Sequence, residues 1–154
     1  MSNRDILIID DDPNDTLLLQ RAFQRTRLVC SLHFAKDGEE AVAYLSGQGG
    51  YADRNQYPLP ALVLLDLKMP RKSGLEVLEW IRQQPSLRRL IVVMLTSSNQ
   101  SSDVNRAYEL GANSYLVKPG GFDTLMELVK SLDRYWLVLN EAPEFGSERA
   151  LRAN

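Results

Sequence analysis

The chain has 154 residues, a formal net charge of −2, and 44% hydrophobic and 25% charged residues. This length suits one domain, and the composition excludes both a disordered chain and a strongly basic nucleic-acid-binding protein. No apolar run approaches the ~20 residues of a membrane-spanning helix, and the polar N-terminus is not a signal peptide. We therefore expect a cytoplasmic protein without membrane contact.

Short apolar runs alternate with helical patterns over the first 140 residues. Residues 47–60 are rich in glycine and proline and predict a loop. In the first helix, the spacing places Leu18, Leu19, Ala22 and Phe23 on the core face. The predicted strands are 6–9, 28–34, 61–66, 90–96 and 114–118, and the predicted helices are 13–26, 38–45, 74–84, 103–110 and 122–140.

Five strand–helix units predict an α/β fold in which helices cover both faces of a parallel sheet, and right-handed crossovers leave few strand orders. We expect one domain at residues 1–140 and a polar tail at 141–154. The tail contains "EFGS" at 144–147, a sequence typical of a cloning remnant, and we expect it to form no part of the fold.

The chain has one cysteine and one histidine, and neither predicts chemistry. Cys30 cannot form an intrachain disulfide, and we interpret it as a small buried core residue. His33 lies on the second predicted strand, away from the strand ends, and we interpret it as structural. Zinc-ligand spacing, a nucleotide-binding glycine loop and a Ser–His–Asp set are absent from the sequence.

Most of the predicted strands end in a residue that carries chemistry. The carboxyl ends of parallel strands lie along one edge of a sheet, where open α/β sheets place their sites, so we expect these residues to converge. Each alone has an ordinary explanation, such as a helix cap, a turn or a surface charge, but together they indicate a site. The residues are Asp10 and Asp11 after strand one, Asp66 after strand three, Thr96 and Ser97 after strand four, and Lys118 after strand five.

The clustered acids predict a bound cation. Two carboxylates about 4 Å apart repel by roughly 4 kcal/mol at an effective dielectric constant near 20. Oxygen ligands select a hard cation, and two or three carboxylates suit Mg²⁺ better than zinc. Asp12, directly before Pro13, is the exception, since its position indicates the N-cap of the first helix.

Four motifs, "IIDDDP", "LLDLKMPRKSG", "MLTSS" and "SYLVKP", occur in that order along the chain. In order and spacing they resemble the receiver domain of two-component response regulators, and the resemblance covers residues 4–139. It implies a flavodoxin-like strand order of 2-1-3-4-5. It also implies that the chain accepts a phosphoryl group from a phosphohistidine of a sensor histidine kinase, and that it is not an enzyme, although it promotes its own phosphorylation and dephosphorylation.

The resemblance implies a role for each residue at the strand ends. Asp66 is the phosphoryl acceptor and a metal ligand. Asp11 is a direct Mg²⁺ ligand, Asp10 acts mainly through water, and the backbone carbonyl of Lys68 completes the protein ligands.

The remaining residues are expected to contact the phosphoryl group or respond to it. Thr96 donates a hydrogen bond to it, the Ser97 amide lies nearby, and Lys118 pairs with one of its oxygens. Tyr115 matches the aromatic switch position. The resemblance further implies a cis Lys118–Pro119 bond, against a base rate of about 5–6% for such bonds.

Several features resemble the stand-alone receivers of bacterial, especially cyanobacterial, phytochrome kinases. These are "DPND", "LKMPRKSG" and the long last helix. We therefore expect a kinase of phytochrome type, a downstream protein target and no nucleic-acid partner. Leu17 points away from the core stripe of the first helix and is expected to contact the kinase.

The last helix carries two apolar stripes, and a second stripe indicates an interface, so we expect a homodimer. Packing under the C-terminal tail is the alternative explanation. The expected core stripe is Phe122, Leu125, Met126, Val129, Leu132 and Trp136, and the second is Leu128, Tyr135 and Leu139.

Two other functions remain as alternatives. A phosphatase of the haloacid dehalogenase type would also use an aspartate on strand one, but that family needs a threonine or valine where this chain has Asn14. It would also leave the strand ending in Asp66 unexplained. The second alternative is a receiver-like adaptor that is not phosphorylated, against which the complete set of acids, hydroxyl and lysine argues.

Overall fold

The computed structural model describes residues 3–144. Within that range, five strands form one parallel sheet in the order β2-β1-β3-β4-β5, as expected. Residues 145–154, which include 145–147 of the "EFGS" segment, lie outside the described residues. The elements in chain order are β1 Asp5–Ile9, α1 Pro13–Arg25, β2 Ser31–Ala35, α2 Gly38–Ser46, β3 Leu62–Leu65, α3 Gly74–Gln83, β4 Val92–Thr96, α4 Ser101–Glu109, β5 Ser114–Val117 and α5 Phe122–Leu132.

The central strands are buried on both faces, because helices cover the sheet on both sides. Leu62, Val63, Leu64 and Leu65 of β3 are all between 0% and 1% exposed. Alternate residues of each strand point to opposite faces. On β1, Leu7 and Ile9 therefore belong to the core beneath α2 and α3, whereas Ile6 and Ile8 pack with α1 and α5.

Helix α1 begins as the sequence predicts. The Asp12 carboxylate accepts a hydrogen bond of 2.9 Å from the amide of Asn14, and Pro13 occupies the first turn, where a missing amide hydrogen costs nothing. The core face is narrower than predicted, because Leu19, Ala22 and Phe23 are buried but Leu18 is 41% exposed. Spacings of three and four residues place these three on one stripe, and Leu18 lies about 100° around the helix from Leu19.

Residues 28–30 precede β2 instead of forming part of it. Arg27 adopts a left-handed backbone conformation, with φ at 56°, so the chain turns there and enters the strand only at Ser31. Cys30 consequently lies half-buried at the margin of the core, not inside it. His33 Nε2 lies 3.0 Å from Asp5 Oδ1, a contact between neighbouring strands.

The last helix changes its winding at its end. α5 finishes at Leu132 and continues as a π-helical segment, Asp133–Leu139. Since a π turn relates residues five apart, Leu137 takes the buried position that a regular α-helix would give to Trp136, which is half-buried. Asp133, 8% exposed, accepts a hydrogen bond of 2.6 Å from Arg4 Nη2.

The second apolar stripe of the last helix lies toward solvent. Tyr135 and Leu139 are 54% and 58% exposed, and Leu128 is half-buried. Of the expected core stripe, Leu125, Val129 and Leu132 are buried, and Phe122 and Met126 are half-buried. Within residues 3–144, no helix is both long and apolar enough to cross a bilayer.

The prediction of a cis bond between Lys118 and Pro119 is wrong, because the described residues contain no cis peptide bond. The trans form of an X–Pro bond is favoured by about 0.5–1 kcal/mol. In this chain two glycines, Gly120 and Gly121, separate the proline from the first residue of α5.

Candidate functional site

Asp66 follows β3 and is held from two sides. Its backbone amide donates to the carbonyl of Ile9 at 2.9 Å, and its Oδ1 accepts from the amide of Leu67 at 2.8 Å. The residue is 8% exposed. A Cβ added to Gly74 would lie 2.0 Å from the Asp66 carbonyl oxygen, so only glycine allows α3 to begin against the strand end at this point.

Asp10 and Asp11 end β1 beside Asp66, as the sequence predicts. Asp10 is 4% exposed, and its Oδ1 accepts from the amide of Asp12 at 2.9 Å, whereas Asp11 is exposed. One carboxylate oxygen from each of Asp10, Asp11 and Asp66 lies within 4.8 Å of the others. Burial raises the pKa of Asp10 to about 6, although the Asp12 amide and Lys118 both favour the charged form.

Lys118 follows β5 and reaches across the sheet edge to these acids. Its amide donates to the Thr96 carbonyl at 2.8 Å, which fixes the strand end. Its Nζ lies 2.9 Å from Asp10 Oδ2, 3.3 Å from Asp66 Oδ2 and 2.7 Å from Asp15 Oδ2. Burial alone would lower the pKa of Lys118, but hydrogen bonds to Asp15 and Asp10 outweigh it and raise the pKa, so the ammonium stays protonated.

Asp15 is the member of this cluster that strand-end reasoning missed. It lies in the first turn of α1, and its side chain is 34% exposed. The signal was in the sequence, because an acid three residues after the N-cap lies in the helix turn that adjoins the end of β1. Only the fold shows that Lys118 reaches this turn.

The other predicted residues surround the cluster. Thr96, 1% exposed, ends β4, which lies between β3 and β5, and Ser97 after it is exposed. Lys68 is exposed on the loop that follows Asp66. Tyr115 is half-buried on β5, and its hydroxyl donates to the Ser98 carbonyl at 2.9 Å, which connects β5 to the loop before α4.

The loop between β3 and α3 is fastened to the start of α2, which the sequence did not predict. Arg71 adopts a left-handed conformation with φ at 68°, and its Nη1 lies 3.3 Å from Asp37 Oδ2. A Cβ added to Gly38 would lie 2.3 Å from the Lys72 carbonyl oxygen, so the two segments pack backbone against backbone. This contact fixes the loop that carries Lys68.

Comparison with known proteins identifies the class. A family model described as the response regulator receiver domain matches residues 6–130. Response regulator Rcp1 of Synechocystis sp. is 39% identical over 132 residues, which are 86% of this chain and 88% of Rcp1. The probable methanogenesis regulatory protein FilR2 of Methanothrix harundinacea is 38% identical over 139 residues, which are 90% of this chain and 86% of FilR2.

Solved structures agree. The phosphorylated cyanobacterial phytochrome response regulator RcpA superposes with a TM-score of 0.85 at 34% identity, covering 93% of this chain and all of RcpA. The Mn²⁺-bound form of Rcp1 superposes with a TM-score of 0.80 at 37% identity, covering 91% of this chain and 99% of Rcp1.

The chain belongs to the receiver domain family of response regulators. Proteins of this family accept a phosphoryl group on an aspartate from a histidine kinase. The expected fold and class are therefore confirmed, and the haloacid dehalogenase alternative is not favoured.

Proposed function

We propose that Asp66 is the phosphoryl acceptor of this receiver, acting with Mg²⁺ and Lys118. The observation that carries the proposal is that Asp66 lies next to the Lys118 ammonium and to two further acids that would hold a cation. Its strand lies between β1, which ends in Asp10 and Asp11, and β5, which ends in Lys118. Its carboxylate is 3.3 Å from the ammonium, and one of its oxygens lies within 4.8 Å of an oxygen of each of the other two acids.

Asp10 and Asp11 are weaker candidates for the acceptor. Asp10 is held more tightly than Asp66, because Lys118 lies 2.9 Å from its Oδ2, against 3.3 Å for Asp66, and its side chain is 3% exposed. Asp11 is exposed and lies away from the Lys118 contact. Asp66 follows the central strand β3, within 3.3 Å of Lys118 and beside both other acids, and its longer contact to Lys118 leaves it the less tightly held of the two buried acids.

The acids fit a divalent cation. Three carboxylates, those of Asp10, Asp15 and Asp66, share one ammonium, and Asp11 adds a fourth acid to the cluster, so excess negative charge remains at the site. Asp10, Asp11, Asp66 and the backbone carbonyl of Lys68 would hold Mg²⁺, which neutralises charge on the phosphoryl oxygens when bound. The Mn²⁺ in Rcp1 supports a site of this kind.

In the proposed reaction an oxygen of Asp66 attacks the phosphorus of a phosphohistidine. The new O–P bond forms as the N–P bond breaks, and the electron pair stays on the departing imidazole nitrogen, which then takes a proton. Lys118, the Thr96 hydroxyl and the Ser97 amide bind the phosphoryl oxygens, since this chemistry depends mainly on positioning and charge neutralisation. Attack of water on phosphorus later releases phosphate and restores the carboxylate.

The switch that follows involves Tyr115. Movement of Thr96 toward the phosphoryl group vacates space into which the tyrosine ring can rotate, breaking its hydrogen bond to the Ser98 carbonyl. The surface of α4, β5 and α5 changes as a result. Converting a 1:99 population to 99:1 would require roughly 5.5 kcal/mol of differential interaction with the phosphoryl group.

The partners follow from exposed apolar residues. Leu17, 44% exposed on α1 near the site, would contact the sensor kinase, and the likeness to RcpA supports a kinase of phytochrome type. Leu128, Tyr135 and Leu139 would form a homodimer interface beside a groove of about 630 Å³ between β5 and α5. Signalling would proceed by contact with a downstream protein.

Acetyl phosphate with Mg²⁺ tests the acceptor. Intact-mass spectrometry should show one phosphoryl group on the wild type and none on Asp66→Asn, and purified candidate kinases should give the same contrast. Failure to label the wild type would favour the adaptor that is not phosphorylated. Steady phosphate release from small phosphoesters that survives Asp66→Asn would instead favour a phosphatase.

A further inference from the structure

The Lys118 ammonium is shared among three carboxylates, one of which has no role in the proposed reaction. The shortest of the three contacts, at 2.7 Å, is to Asp15, and the longest, at 3.3 Å, is to the acceptor Asp66. The contact to Asp10 is 2.9 Å. The ammonium therefore lies closer to Asp15 of helix α1 than to the proposed acceptor Asp66.

All three N–H donors of the ammonium are used by these contacts. A phosphoryl group on Asp66 would take the donor that now contacts the Asp66 carboxylate, and drawing the ammonium closer than the present 3.3 Å would lengthen its contact to Asp10 or to Asp15. Asp10 is poorly placed to release its share, because its side chain is 3% exposed and water cannot replace the lysine. The Asp15 side chain is 34% exposed, so water can solvate it when the lysine leaves.

The Asp15–Lys118 contact is screened by water from one side only, because its other side is apolar. A cavity of about 50 Å³ adjoins the contact, and water screens charges weakly where the walls are apolar. The residues that line the cavity with Asp15 and Lys118 are Leu18, Leu19, Leu95, Pro119 and Leu125.

We propose that Asp15 is a positioning residue that competes with the phosphoryl group on Asp66 for Lys118. The inference rests on the proposed roles of Asp66 and Lys118. If the Asp15–Lys118 contact is made before Asp66 is phosphorylated and lost afterwards, its free energy is subtracted from the binding of the phosphoryl group. For a partly exposed ion pair the expected effect is about fivefold on the affinity of the site for a phosphoryl group, or about 1 kcal/mol at 1.4 kcal/mol per tenfold.

Beryllofluoride, a non-covalent phosphoryl mimic, tests the competition in the full-length protein at saturating Mg²⁺. Asp15→Asn should bind it about fivefold more tightly than the wild type by calorimetry, and Asp15→Glu, which keeps the charge, should stay close to the wild type. Asp123→Asn removes the same charge from the exposed first turn of α5 and should also match the wild type. Asp15→Ser provides a second neutral variant if asparagine impairs folding.

A second readout reports on the lysine itself. In the metal-free protein, the ¹⁵N chemical shift of the Lys118 ammonium should move in Asp15→Asn and not in Asp123→Asn. Unchanged or weaker beryllofluoride binding in both folded neutral variants would overturn the role of Asp15 and leave the proposed function intact. Absence of binding to the wild type would instead overturn the proposed function and this inference together.

Discussion

Replacing Asp10 by asparagine should stabilise the metal-free protein at neutral pH, although the change removes an ion pair with Lys118. Burial raises the pKa of Asp10 from 3.8 to about 6 despite that pair. A shift of about two units, at 1.36 kcal/mol per unit, means that the charged carboxylate costs the folded state up to about 3 kcal/mol. We expect Asp10→Asn to raise the free energy of unfolding by about 1–3 kcal/mol at pH 7.

The pH dependence of stability independently tests whether Asp10→Asn raises the free energy of unfolding. Because the folded pKa of Asp10 lies above the unfolded value, the folded state binds more protons between pH 3.8 and about 6. Its contribution to stability therefore declines as the pH rises through this window, and the full cost is present above it. The advantage of Asp10→Asn should accordingly be small near pH 4 and complete near pH 7.

Urea unfolding in a metal chelator, followed by tryptophan fluorescence, measures this difference at each pH. Asp12→Asn is the matched control, since it removes a neighbouring charge and asparagine caps a helix about as well as aspartate. Saturating Mg²⁺ should reduce the advantage, because the metal stabilises the wild type through its carboxylate. An Asp10→Asn protein no more stable than the wild type at pH 7 without metal would show that the buried charge of Asp10 does not destabilise the fold.

Three further predictions concern the frame and surfaces of the site. Gly74→Ala should cost about 1–3 kcal/mol in urea unfolding and reduce labelling by acetyl phosphate, because its Cβ would displace the Asp66 backbone; unchanged stability would contradict this. Leu17→Ala should slow phosphotransfer from the partner kinase about fivefold while acetyl phosphate labelling stays the same, and equal kinase rates would argue against the contact. Leu139→Ser should shift a dimer toward monomer in light scattering at tens of micromolar, whereas Val29→Ser, at an apolar residue that is 76% exposed and lies outside the second apolar stripe, should not; a wild type that is only monomeric would remove the homodimer proposal.

The sequence predicted the sheet and most of the cluster for one physical reason. Apolar runs such as those ending at Ile9 and Leu65 are buried on both faces, so they belong to a parallel sheet whose strand ends meet at one edge. The residues that follow those runs must then converge. Asp10, Asp11 and Asp66 do so within 4.8 Å, and Lys118 reaches two of them.

The features that were missed depend on contacts between segments far apart in the chain. Asp15 became part of the cluster because a lysine 103 residues later reaches its helix turn. Arg71 adopts its left-handed conformation beside Asp37, which lies on a different helix start. Leu18 was predicted to be a core residue because it is apolar and lies next to the buried stripe in the sequence. Only the packing of α1 decides where the edge of that stripe lies.

The winding of the π-helical segment decides which way the second apolar stripe of the last helix faces. At the start of this segment Asp133 pairs with Arg4, the residue before β1, and within the segment Leu137 is buried in the core. The segment is therefore held at two points. Restoring α-helical winding with the same number of residues would place Trp136 instead of Leu137 against the core and turn Leu139 by about 100° around the axis. The hydrophobicity of the segment would be unchanged while its exposed side chains faced elsewhere, so winding as well as composition decides which neighbours this surface meets.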